Sequence, residues 1–148
     1  MKLPFATLQT VHQMLNAVPF LKSLKQDDIE DLALDLNLRH FMAGETVIRQ
    51  GEPGKLFHLI FKGRVEVMRK KFFGKTKLAT LGPGEFFGEI SLIENVPRTA
   101  TVVGVEDGEM FTLSRDSFEK VLLQDPAIAT VIRQVASSRQ QSNQALEA

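Results

Sequence analysis

The apolar positions of the chain change period twice. Towards the N-terminus Ile29, Leu32, Ala33 and Leu36 stand three and four residues apart, the spacing that lines one face of a helix. Ser23 followed by Gln26 has the form of a capping box ahead of that helix. An earlier helix is predicted over Phe5–Ala17, and Pro19 separates the two. In the middle of the chain the pattern becomes short β-like runs at 39–42, 46–50, 56–61, 64–69, 75–81, 98–103 and 109–113. Within 64–69, Val65 and Val67 alternate with Arg64, Glu66 and Met68, as in a half-buried strand. Helical spacing then returns. Ser114 is placed to cap a helix carrying Phe118, Val121 and Leu122, and Asp125-Pro126 opens another through Ile128, Val131, Ile132 and Val135.

All ten glycines lie between Gly44 and Gly108. Turn-forming separators such as Gly51-Glu52-Pro53-Gly54, Lys62-Gly63, Phe73-Gly74 and Gly82-Pro83-Gly84 fall between the β-like runs, while both flanks lack glycine. The expected fold is therefore mainly β with flanking helices: an antiparallel jelly-roll-like barrel, preceded by N-terminal helices and followed by two C-terminal helices. Residues 1–136 are expected to form one domain. Residues 137–148, polar from Ser137 to Gln144, read as the solvated end of the last helix or as a linker to an absent output domain.

Composition narrows the function. With 18 basic and 18 acidic residues among 148, the chain lacks the basic excess typical of nucleic-acid binding, and no nucleic-acid partner is expected. The absence of cysteine excludes disulfides, a thiolate zinc site and a cysteine nucleophile. No apolar run is long enough for a membrane span, and Met1 to Thr10 lack the apolar core of a secretory signal, so a cytoplasmic location is expected. His12, His40 and His58 form no His-x-His pair and read as ordinary helix or strand residues; no metal site is expected. Phe72 and Phe73, at the tip of a hairpin carrying Arg69, Lys70, Lys71, Lys75 and Lys77, could touch an acidic partner or a membrane surface; the favoured expectation is a solvated hairpin whose aromatics fold back on the barrel.

One irregular stretch, Gly84 to Ala100, interrupts the strands. Gly88 to Ile93 has the length of about one and a half helical turns, whose first N–H groups would be open to an anion. Arg98 can bring a guanidinium to the same place and bind phosphate oxygens in bidentate fashion. Glu89 repels phosphate but suits a sugar hydroxyl, since a carboxylate only accepts hydrogen bonds. An anion site beside a hydroxyl acceptor points to a phosphorylated sugar. No nucleophile–base pair accompanies these residues, so an enzyme is not expected.

The run Phe87-Gly88-Glu89-Ile90-Ser91-Leu92, four spacers and Pro97-Arg98-Thr99-Ala100 resembles the phosphate-binding cassette of the cyclic nucleotide-binding domain family, of the kind found in catabolite activator proteins and in the regulatory subunits of cyclic-AMP-dependent kinases. Pro19-Phe20-Leu21, Gly44-Glu45, Gly51-Glu52 and Gly63 extend the resemblance over roughly 18–136. It implies that Glu89 binds the ribose 2′-hydroxyl and that Arg98 pairs with the cyclic phosphate. Phe87, Gly88, Ile90, Ser91, Thr99 and Ala100 would complete the pocket. The implied ligand is cyclic AMP in preference to cyclic GMP, with no further cofactor; Thr99 is compatible with either purine. In the activator branch the last helix forms a dimer and its far end meets the base. The helix from Pro126 is accordingly the expected route to a second copy or an output domain, and Asn143 is the candidate base contact. The competing expectation is an interaction or structural domain that keeps the barrel without the ligand.

Overall fold

The computed structural model describes residues 5–147, with side chains described over 8–139. Helices α1 (Phe5–Ala17) and α2 (Gln26–Asp35) flank a short 3₁₀ helix at Pro19–Leu21. Eight strands follow: β1 (Asn37–Phe41), β2 (Thr46–Ile48), β3 (Leu56–Lys62), β4 (Val65–Lys70), β5 (Lys75–Leu81), β6 (Phe86–Phe87), β7 (Thr101–Gly104) and β8 (Gly108–Ser114). A 3₁₀ turn, Glu89–Leu92, lies between β6 and β7, and α3 (Arg115–Gln124) and α4 (Ala127–Glu147) end the described chain. The strands form two antiparallel four-stranded sheets, ordered β1-β8-β3-β6 and β2-β7-β4-β5, the double-sheet arrangement of a jelly roll.

Strand alternation divides the buried residues between two cores. On β3 and β8, Phe57, Leu59, Phe111 and Leu113 face the helices and join Phe20, Ile29, Leu32, Phe118, Ile128 and Ile132. Ile60 and Met110 face the opposite way, into the space between the sheets, with Phe41, Val65, Leu81, Phe87 and Val102. His58 shares the parity of Ile60, so period-two geometry alone carries it inside. Gly63 completes the β3–β4 turn at φ +83°, where a Cβ would lie 2.8 Å from the Asp107 carbonyl oxygen.

Several boundaries differ from expectation. Ser23 is not the cap of α2: Lys25 holds that position without a side-chain bond, and Asp27 and Asp28 in the first turn complement the helix dipole instead. Residues 98–100 lie outside the seventh strand, which starts at Thr101. The backbone of Arg98 is tied to an earlier turn, donating to the Glu52 carbonyl and accepting from Gly51 N–H, both at 2.8 Å. Asp125 caps the end of α3 by donating its N–H to the Val121 carbonyl, and α4 starts one residue after Pro126. The polar segment beyond Ala136 continues as helix to Glu147. Phe72 and Phe73 do not fold back on the barrel; they are 95% and 89% exposed. No helix among the described residues is long and apolar enough to cross a membrane.

Ser114 caps α3 as expected, accepting from the Ser117 N–H at 3.2 Å. Ser114→Ala should cost about 1 kcal/mol, lowering the urea midpoint without changing the slope of the transition. An unchanged midpoint would show that the cap contributes nothing.

Candidate functional site

The site begins where β6 stops. Phe86 and Phe87 pair with Leu59 and His58, and opposite residues in a ladder share a face. Phe86 thus points to the helices, edge-on to Phe20 at 5.6 Å, whereas Phe87 stacks flat on His58 with ring centroids 4.5 Å apart. The next residue, Gly88, adopts φ +80°. A Cβ there would lie 2.5 Å from Arg98 Nη1 and 2.7 Å from the Leu56 carbonyl oxygen, so glycine is demanded by both backbone and space. At Gly54 space alone makes the demand, since a Cβ would meet Ser91 Oγ at 2.5 Å.

These close approaches seat Arg98. Its Nη1 donates to Ser91 Oγ at 3.0 Å and its Nη2 to the Leu56 carbonyl at 2.8 Å. Burial pulls its pKa below the usual value and the Glu89 carboxylate pushes it back up. Glu89 is only 7% exposed and accepts from Arg139 Nη1 at 2.9 Å. Arg139 Nη2 donates to the Phe86 carbonyl at 2.6 Å, and the guanidinium lies 4.7 Å from the centre of the Phe86 ring. One α4 side chain therefore clamps both residues flanking Phe87-Gly88.

A cavity of about 1050 Å³ opens over this floor. Phe87, Gly88, Glu89, Ile90, Ser91, Arg98, Thr99 and Ala100 all border it, whereas Leu92 of the same run is buried in the helix-side core. Val67, Ala79, Leu81 and Val102 supply an apolar wall, and Ala136 and Arg139 close the α4 side. Asn143 lies outside the residues whose side chains are described. The expected helical segment at Gly88–Ile93 is a four-residue 3₁₀ turn, too short to build a helix dipole, so arginines bring the positive charge: Arg98, Arg139 and, also on the α4 side, Arg133.

Arg139 and His58 were not foreseen. Arg139 continues the buried stripe Ile128, Ile132 and Val135 at helical spacing, a signal obscured because the stripe changes there from apolar to charged. His58 is buried, and its Nδ1 has no hydrogen-bond partner. The other histidines stand apart: His12 contacts Asn16, and exposed His40 lies 3.7 Å from Glu109.

Residues 38–125 match the family described as Cyclic nucleotide-binding domain. The chain belongs to that family. Among its relatives, a cAMP-dependent protein kinase regulatory subunit of Aspergillus fumigatus is 37% identical over 73% of this chain and 26% of its own length. The Cyclic AMP receptor protein of Thermus thermophilus is 34% identical over 75% of this chain and 52% of its own. Among solved structures, the regulatory subunit of a cAMP-independent protein kinase A from Trypanosoma cruzi bound to guanosine superposes with a TM-score of 0.74. It is 30% identical, covering 89% of this chain and 47% of that one. The chain thus spans about a quarter to a half of these relatives.

The burial of His58 also bears on stability in acid. Burial, then the charges of Arg98 and Arg39, lower its pKa from 6.5 to about 3. The folded state therefore holds it neutral while the unfolded chain protonates it, so its contribution is complete above pH 6.5 and is lost as pH falls towards 3. That window is worth up to about 4–5 kcal/mol. His58→Phe, which keeps a ring against Phe87, should flatten the pH dependence of stability between 6.5 and 3 by about one proton. Parent and variant stabilities, each from denaturant titrations, that fall equally steeply with pH across that range would show that His58 titrates alike in both states.

Proposed function

We infer that this domain is a regulatory sensor of a cyclic purine mononucleotide, favouring cyclic AMP over cyclic GMP, and that α4 carries its signal. The observation behind this reading is the placement of a partly buried guanidinium, Arg98, and a buried carboxylate, Glu89, on the floor of one cavity with an apolar wall. A cyclic phosphate suits the first, a ribose hydroxyl the second, and a purine the wall. The preference between bases is carried over from relatives named for cyclic AMP, while a cGMP-dependent protein kinase of Drosophila melanogaster is 38% identical over 73% of this chain. The role is binding, with no catalytic step assigned to it.

In this reading the ligand adds to the site without evicting its internal partners. Arg98 spends two of five donors on Ser91 and Leu56, leaving others for phosphate oxygens. Glu89 has acceptor capacity beyond the bond from Arg139. A hydroxyl on Glu89 would be felt by Arg139 and hence by α4, which leads to an output domain or a second copy. The signal can be no larger than the ligand's preference between two positions of α4.

A second reading, a domain that keeps the fold without the ligand, is favoured by the same internal partners, because neither charge is left unsatisfied. Isothermal titration with cyclic AMP and cyclic GMP separates the two. The sensor binds cyclic AMP more tightly; heat of neither ligand would establish the second reading. Arg98→Ala should weaken cyclic AMP binding by about 30-fold to several thousand-fold, the usual effect of truncating one member of a desolvated charge pair. Retained affinity would remove Arg98 from the phosphate site. The 2′-deoxy analogue should bind the parent about 10- to 150-fold more weakly than cyclic AMP. Glu89→Ala should erase most of that difference, and its persistence would assign Glu89 another role.

A further inference from the structure

The β4–β5 hairpin carries a surface that the nucleotide site does not use. Five basic residues, Arg69, Lys70, Lys71, Lys75 and Lys77, fall within nine positions, and no acidic residue occurs between Glu66 and Glu85. The chain is neutral overall, so the remainder is acidic and the charge is concentrated here. Lys70 and Lys75 stand directly opposite each other across the ladder, a like-charge pairing that costs stability in water. At the apex Phe72 and Phe73 are almost fully exposed and meet only edge to face, 5.1 Å apart.

The tip is held firmly. Lys71 N–H donates to the Gly74 carbonyl at 3.0 Å, and Gly74 takes φ +80° to close the turn. Below it, Gln50 Oε1 accepts from the Lys70 N–H at 2.7 Å, and Arg69 Nε donates to the Thr99 carbonyl at 3.3 Å. Two rings are thus presented on a braced support with Lys70, Lys71 and Lys75 next to them in the chain, while Lys77 pairs with Glu66 at 3.3 Å.

We propose that this hairpin tip docks on an anionic lipid surface. Phenylalanine has no polar group with which to read a peptide or a base edge, and two protruding rings form a wedge where a protein partner would need a groove. A wedge enters the headgroup region without needing a complementary shape, while the lysines are drawn to anionic headgroups, which also relieves the repulsion between Lys70 and Lys75. Apolar insertion and a basic patch reinforce each other, since either alone gives only marginal membrane binding.

Flotation of the full chain with phosphatidylcholine vesicles, with and without phosphatidylserine, tests this. The chain is expected to float only with phosphatidylserine present and to be released by high salt. Phe72→Ser combined with Phe73→Ser should lower partitioning about tenfold or more, as should Lys70→Gln combined with Lys75→Gln. Thermal midpoints near that of the parent would show that the variants remain folded; both changes lie at exposed positions. Absence from the vesicle fraction, partitioning indifferent to phosphatidylserine, or an unaltered double-serine variant would overturn the proposal. Retention on a single-stranded oligonucleotide without flotation would overturn it in favour of nucleic acid.

Discussion

The need to seat a guanidinium and a carboxylate away from bulk water, within one loop, governs the architecture around it. A buried charge is tolerable only when paired or hydrogen-bonded. Arg98 therefore takes the Leu56 carbonyl and Ser91, and Glu89 takes Arg139. These partners come from β3, from the 3₁₀ turn and from α4, so the loop cannot be satisfied until all three are in place. Gly88 and Gly54 follow from the same demand, since a Cβ at either would occupy the space of Arg98 or of its partner Ser91.

The jelly roll supplies rigid banks for this loop. Alternation on β3 gives the helices Phe57 and Leu59 and gives the interior His58 and Ile60. β6, only two residues long, repeats that division with Phe86 and Phe87 before the chain turns at Gly88. A shift of one residue in its register would reverse both rings, taking Phe87 off His58 and removing the surface on which Arg139 rests. The family's cassette is thus continuous with the core.

Much of this could be read from the residues. The strands announce themselves by alternation and glycine-bearing turns, and the cassette by a spacing long enough to be distinctive. The misreadings share one cause: local sequence does not say which neighbour a residue will meet. Ser23 has the right partner three residues on, yet α2 starts only at Gln26, with Lys25 at its cap, after the 3₁₀ helix at Pro19–Leu21. Phe72 and Phe73 look like core residues, but a hairpin tip reaches past the barrel wall. Arg139 was hidden because hydrophobic periodicity is sought among apolar residues, and the buried stripe of α4 ends in a cation that pairs with a carboxylate 50 positions earlier.

The joint between the last two helices gives that distant pairing a mechanical side. Asp125 and Pro126 are the only residues between α3 and α4, and proline contributes no N–H to bind the helices together. From Ala127 to Arg139 a straight helix forms an arm of about 18 Å. A rotation of about 10° at the joint swings the end of such an arm by about 3 Å. That travel is as long as the contact between Arg139 and Glu89, so a turn of a few degrees at a joint two residues wide would part Arg139 from Glu89 and from the Phe86 carbonyl alike.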